Sequence, residues 1–328
     1  IEDDVMEVLE LAMARVPCLT EIGIRTFFNG PESYSHDGRF TLGEAPDVKN
    51  YFVIAGVNST GIQSGSGAGK AVADWIMAGH PTMDLSEMDP ARIEAFQAQD
   101  RYLQERCPET LVHTYAMHWP GRQRETARGL RRTPFYHALK AKGAVYTEMQ
   151  GWERPSWFAP EGVAPVHDYA FGRPSWFDHA QTEQKSAREG VVMIDYSMLG
   201  KHMVEGKDAE TFLQRVSTND VSIADGRVIY SLMLNDRGGI EGDVTIARHD
   251  KTHFMIMSAI SHTRRNRDHL QHAILANENV IIRDVTSAYA VLALSGPLSR
   301  AVLETLVDIS LSDKDFPPYS LQQFYIGY

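Results

Sequence analysis

The chain has 328 residues, 43% hydrophobic and 23% charged, a globular composition with enough material for two or three cores. Its net charge of -11 would repel a phosphate backbone, and the densest basic clusters are only Arg128 to Arg132 and Arg264 to Arg267, which argues against nucleic acid as a partner. No apolar run approaches the roughly 20 residues that cross a bilayer. Two cysteines, Cys18 and Cys107, are too few for a disulfide framework or a cysteine zinc site and fit a reducing compartment.

The first residue is not Met, and the last, Gly327-Tyr328, fall inside an aromatic segment, so both ends are expected to be truncations. In chain order, Val5, Val8, Leu9, Ala12 and Val16 recur at helical spacing up to Pro17 and predict a surface helix. Glu21 to Phe28 alternates and predicts a strand, followed by turn chemistry at Asn29-Gly30-Pro31 and Asp37-Gly38. Tyr51 to Ala55 reads as a short buried strand that enters Gly56-Val57-Asn58-Ser59-Thr60-Gly61, with a helix from there to Gly79. Asp89 to Arg106 is predicted as an amphipathic helix ended by Pro108. The stretch from Tyr115 to Pro160, dense in aromatics and arginines, has no clear period and reads as a small connecting domain.

Glu161 to Pro165 is a plausible linker. Beyond it the pattern predicts a short helix at Asp208 to Val216 and a hairpin of Tyr230 to Leu234 and Asp243 to Arg248 joined by Asn235-Asp236-Arg237-Gly238-Gly239. Further strands are expected at His253 to Met257 and Tyr289 to Leu294, with helices at Arg264 to Ala276 and Leu298 to Leu306. The second half is therefore α+β.

Among chemical candidates, the glycine-rich turn from Gly56 lets backbone approach a ligand, and the helix start behind it offers unpaired N-H groups to an anionic group. It matches neither the P-loop nor GxGxxG, and a helix packed tightly on a sheet explains the same glycines. Asp243, after the hairpin turn, reads first as a solvated carboxylate, and Tyr230 as a core aromatic. The 13 histidines show no HExxH or other metal-ligand spacing, so no metal is expected.

Three sets of motifs carry a resemblance. Asn29-Gly30-Pro31-Glu32-Ser33, Asp37-Gly38, Leu42-Gly43-Glu44 and Gly56-Val57-Asn58-Ser59-Thr60-Gly61-Ile62 resemble the closing segment of D-amino-acid-oxidase-type flavoproteins. Trp119-Pro120, Glu125 to Arg131, Gly151 to Pro155 and Trp157-Phe158 resemble the dimethylglycine and sarcosine dehydrogenase family. Asp195, Ser197, Val204 to Ala209, Thr218 to Val221, Tyr230, Gly238-Gly239-Ile240, Asp243 and Ser295-Gly296-Pro297 are similar to the aminomethyltransferase T-protein of glycine cleavage. Two departures stand out. Gly242 replaces the first of the paired aspartates usual in T-proteins, and Ser197-Met198-Leu199 replaces Ser-His-Met.

The resemblance implies a multidomain α+β protein: the end of a D-amino-acid-oxidase-like FAD domain (1–85), a connecting domain (86–163) and an incomplete folate-binding domain (164–328). It further implies FAD contacts at Gly56, Asn58, Ser59, Thr60, Gly61 and Ile62, and tetrahydrofolate contacts at Tyr230 and Asp243, with Asp243 beside folate N10 as general base. The implied reaction is oxidative demethylation of dimethylglycine or sarcosine, with the one-carbon unit passing to tetrahydrofolate as methylenetetrahydrofolate. Electrons would leave to an electron-transfer flavoprotein or oxygen. The location implied is the cytoplasm of a bacterium or the mitochondrial matrix of a eukaryote. A pure aminomethyltransferase and a non-catalytic regulatory subunit of the same architecture are the alternatives.

Overall fold

The computed structural model describes residues 2–327 and falls into two compact units that part after Ser33. In the first unit, α1 (Glu2–Arg15) is a helix with its apolar residues Val8 and Leu11 exposed, and a short 3-10 turn, Pro17–Glu21, follows it. The strand expected over Glu21 to Phe28 does not form. Alternation alone does not make a strand: the ladder needs a partner edge. Among the described residues none pairs with this segment, and Ile22, Ile24 and Phe28 stand exposed.

The second unit begins with an antiparallel pair, β1 (Thr41–Glu44) and β2 (Phe52–Ala55), followed by α2 (Gly61–Ala78). The strand read as buried is half open, with Ile54 46% exposed, because only one of its faces meets α2. Gly43 is what permits that packing: a Cβ there would lie 2.5 Å from the ring of Trp75. Helix α2 ends at Gly79, whose positive φ forms the left-handed cap.

The helix expected from Asp89 to Arg106 is displaced toward the C-terminus. Asp89 caps a 3-10 turn at Pro90–Arg92, Glu94 and Gln97 form a capping box around a second turn, and α3 runs over Asp100–Tyr115 with Pro108 inside it. Pro108 does not end the helix because it lies on the exposed face, while Tyr102, Arg106 and Thr110 on the opposite face are buried. Arg106 donates to Glu148 at 3.0 Å and to the Thr126 carbonyl at 2.7 Å, so tertiary bonds outweigh the cost of the proline ring.

The connecting region holds α4 (Tyr136–Ala141) and the hairpin β3 (Ala144–Met149) and β4 (Trp152–Phe158). Trp152 and Trp157 are packing residues. Trp157 stacks on His179, and Trp152 is buried with Met198 and Ile260. Next come α5 (Phe177–Glu189), β5 (Val192–Asp195), β6 (Gly200–Glu205), α6 (Ala209–Val216), β7 (Arg227–Leu234), β8 (Ile240–Asp250) and β9 (His253–Ser258). The chain ends through α7 (Thr263–His272), β10 (Ile281–Asp284), β11 (Leu292–Ser295) and α8 (Ser299–Glu304).

Five of these strands make one antiparallel sheet in the order β10-β6-β9-β8-β7, and β11 pairs with β5. One face of the large sheet, including Val204, Ile246, Phe254 and Ile256, buries itself against Phe212 and Leu213 of α6 and Leu270 of α7. Each such side chain contributes roughly 1.5–3 kcal/mol of hydrophobic stabilisation. The other face presents Tyr230, Asp243, Thr245 and Met257 outward, half-buried or exposed. Among the described residues no helix is long and apolar enough to cross a membrane.

Candidate functional site

Two of the sequence-predicted constellations lie at opposite ends of α2. With 18 residues rising 1.5 Å each, about 27 Å of helix separates them.

At the N-terminal end, the turn from Gly56 to Thr60 is held in an uncommon shape, with positive φ at Gly56 (63°), Asn58 (49°) and Ser59 (66°). Asparagine tolerates this region because its short amide bonds nearby backbone. The Asn58 side chain is 5% exposed; it donates to the Gly56 carbonyl at 2.5 Å and accepts from the Ser35 N-H at 2.9 Å. Ser35 in turn lies 3.1 Å from Asp37, which Arg92 grips through two nitrogens at 2.8 and 3.2 Å. Together, the Arg92 guanidinium and neighbouring donors hold the Asp37 carboxyl below its usual range, against the opposing effect of burial.

The Thr60 hydroxyl is occupied by the Val57 carbonyl at 2.6 Å and does not cap α2, and the first turn holds no acidic residue. Behind it Ile62 stands fully exposed, and a Cβ on Gly65, Gly67 or Gly69 would meet nothing within 4 Å. The result is a helix start without a side-chain cap and with an open, small-residue surface, to which an anionic or electron-rich group can come close.

At the C-terminal end, Arg237 in the hairpin turn donates to the Pro81 carbonyl at 2.6 Å and ties the hairpin to the segment after α2. A cleft of about 490 Å³ opens between them, bordered by Trp75, Met83, Asp84, Glu241, Asp243 and Arg265. Asp243 sits opposite Leu232, and Tyr230 opposite Thr245, so all four share the open face. The Tyr230 hydroxyl reaches Oδ2 of Asp243 at 3.5 Å, and Asn219 steadies the Tyr230 carbonyl from the side at 3.0 Å. Tyr230 is therefore no core aromatic: it is 56% exposed. A carboxylate and a phenol side by side on an accessible sheet face can accept a proton from, and orient, a ligand amine.

Gly242 points the other way, into the sheet–α7 interface, where a Cβ would lie 2.7 Å from Oδ1 of Asn266 and 2.9 Å from Cε of Met233. An aspartate at this position, usual in T-proteins, would have to displace the buried side-chain ends of Asn266 and Met233. Ser197-Met198-Leu199 is likewise structural. Met198 is buried in the Trp152 cluster, and the fully buried Lys201 ammonium donates to the carbonyls of Ser197 and Leu199, each at 2.8 Å. Burial pulls that lysine down to about 8.

Sequence reasoning did not find Arg265, Glu241 or the Ser35–Asp37–Arg92 chain. Arg264 and Arg265 read as part of a basic cluster, but in the fold their guanidiniums face Asp47, Asp89, Glu241 and backbone carbonyls. No spacing in the sequence announces pairs formed over such separations.

The GCVT N-terminal domain family matches residues 135–328, and the FAD dependent oxidoreductase central domain family matches residues 78–133. The chain is 39% identical over 299 residues to a 4-methylaminobutanoate oxidase (formaldehyde-forming) of Paenarthrobacter nicotinovorans, covering 91% of this chain and 36% of that protein. It is 33% identical to a mitochondrial pyruvate dehydrogenase phosphatase regulatory subunit of Mus musculus, covering 98% and 37% of the two chains. To the mitochondrial sarcosine dehydrogenase of Homo sapiens it is 30% identical, covering 94% and 38%. The chain thus spans little more than a third of the length of these relatives. With the Gly56–Thr60 turn at one end of α2, the Tyr230–Asp243 face at the other, and both domain families in sequence, the chain belongs to the dimethylglycine/sarcosine dehydrogenase family.

Proposed function

We propose that the protein oxidises the N-methyl group of dimethylglycine or sarcosine and passes the carbon to tetrahydrofolate. FAD supplies a two-electron acceptor and tetrahydrofolate the nitrogen nucleophiles. The substrate carbon loses a hydride, the amine leaves, and a proton is released as the methylene bridge closes. In this reading the backbone from Gly56 to Gly61, with Ile62, would hold the flavin, and Asn58 keeps that backbone in place from within. The N-H groups of α2 favour electron density at the ring edge they face. Asp243 accepts the proton from folate N10, and Tyr230 orients the carboxylate and the ligand.

The observation that carries the reading is the Tyr230–Asp243 pair on an open sheet face of the same compact unit that holds the α2 turn. Enzyme expressed from the complete gene is mixed without oxygen with sarcosine, dimethylglycine or 4-methylaminobutanoate, the last taken from the name of the 39% identical relative. Flavin bleaching by an N-methylglycine, with methylenetetrahydrofolate formed when tetrahydrofolate is present, is the expected result. Bleaching by 4-methylaminobutanoate alone would replace the substrate, and no bleaching by any amine would favour a regulatory role.

A further inference from the structure

Glu241 is the extra residue of a bulge two residues before Asp243, with Gly242 between them. Met233 faces Gly242 and Leu234 faces Ile240, so Glu241 has no partner on β7. A bulge re-aims the side chains beside it and takes backbone groups out of the ladder. A carbonyl released in this way needs another donor. Arg265 of α7 supplies one: Nη1 donates to the Glu241 carbonyl at 2.7 Å and Nη2 to its carboxylate at 2.5 Å.

The same guanidinium places Nε 3.5 Å from Oδ2 of Asp89, and the side chains of Arg265, Asp89 and Glu241 are 18%, 19% and 17% exposed. Asp89 is fixed in turn, since its carboxylate accepts from the Ala91 N-H at 2.8 Å. Glu241 is further held by the Asn235 amide at 2.7 Å, and the next residue of α7, Asn266, closes on Gly242. The bulge residue is thus gripped by Arg265, and Asn266, next on α7, packs beside Gly242 with no hydrogen bond to its Oδ1 among the described residues. The grip also reaches Asp89, on the segment that follows α2.

We propose that Arg265 is a positioning residue for the one-carbon transfer. It aims Asp243 by holding the Glu241 bulge against Asp89, a geometry that needs the planar fork of an arginine and that a lysine ammonium cannot reproduce. The inference rests on the reading of Asp243 as the base that serves folate.

The test uses enzyme expressed from the complete gene, with flavin reduction by sarcosine or dimethylglycine as the control for folding and methylenetetrahydrofolate formation as the readout. Arg265→Met lowers kcat of folate capture roughly tenfold and leaves KM for tetrahydrofolate within about twofold, since orientation is lost and binding is not. Arg265→Lys recovers only part of the loss. Capture at the wild-type rate in Arg265→Met, a change confined to KM, or full rescue by lysine would overturn the proposal. If Arg265→Met does not fold, Glu241→Gln takes its place. That variant keeps the carbonyl bond and removes the charge, and a loss of about two- to fivefold supports the proposal while wild-type capture overturns it. Asp243→Asn separates the two levels. Normal capture in that variant sinks the base reading itself, whereas lost capture there with normal capture in Arg265→Met sinks only the role of Arg265.

Discussion

Tyr230 and Asp243 meet diagonally across β7 and β8, with the phenol hydroxyl 3.5 Å from a carboxylate oxygen. That distance is at the long limit of a hydrogen bond, so the pair is held in place by strand register more than by its own attraction. In enzyme expressed from the complete gene, Asp243→Asn keeps size and hydrogen bonding but removes the base. It should slow methylenetetrahydrofolate formation by about 10²-fold and release the carbon as formaldehyde, while flavin reduction stays near normal. Tyr230→Phe should cost only about two- to fivefold, because a bond of this length contributes little. Stopped-flow flavin bleaching beside a formaldehyde assay checks both. Asp243→Asn with full capture would return Asp243 to a structural role.

Gly242 gives a prediction of the opposite kind, about what this sheet cannot accept. Gly242→Asp, which would restore the T-protein pair, drives a side chain into Asn266 and Met233. It should destabilise the fold by about 2–3 kcal/mol without improving folate chemistry. Asn266→Ala in the same chain removes the nearer clash and should recover part of that loss. Thermal unfolding of the single and double variants measures the coupling. Additive effects would show that Asn266 does not set the constraint.

The hairpin was legible because Asn235-Asp236-Arg237-Gly238-Gly239 is turn chemistry between two alternating runs, and local pattern decides such elements. Helices α2 and α6 were legible for the same reason. Strand β6 was not: four of its six residues, Gly200, Lys201, His202 and Val204, are buried, so it shows no alternation. Pro108 misled because a helix tolerates proline on an exposed face when long-range bonds such as Arg106–Glu148 hold the other side. At the site, Asp243 and Tyr230 were reached through resemblance. Arg265 was not, since its partners at 89 and 241 are contiguous only in the fold.

We propose that a domain joint lies at Glu161 to Pro165, which are exposed in sequence. Limited proteolysis of the native protein should nick this stretch before either flanking core. The pieces should nevertheless stay together. Thr133 donates to the buried Asp195 carboxylate across the joint, and Trp152 packs with Met198 and Ile260. Gel filtration after nicking checks this, and first cuts within 200–248 would move the boundary.

His202 should give the fold a dependence on mild acid. It lies on the buried face of β6 with neither ring nitrogen bonded, opposite Asp284 of β10 and near Arg267 of α7. Burial, aided by Arg267 and opposed by Asp284, pushes its pKa down to about 4 from 6.5. Above pH 6.5 the ring is neutral in both folded and unfolded chains and contributes no pH dependence. Between 6.5 and 4 the unfolded chain takes up the proton and the folded chain does not, so stability falls as pH falls, by roughly 3 kcal/mol over the window. Carboxylates held below 3.8, such as Asp37 and Asp284, act at lower pH and do not produce this slope. His36 and His269, also lowered by burial, leave a residual one. His202→Met keeps the volume, removes the titration and suits the apolar surroundings. Its unfolding free energy, measured by denaturant titration from pH 7.5 to 4.5, should fall less steeply than that of the wild type. Equal slopes in the two proteins would show that His202 is protonated in the fold or hydrated there, and that its burial does not govern the acid response.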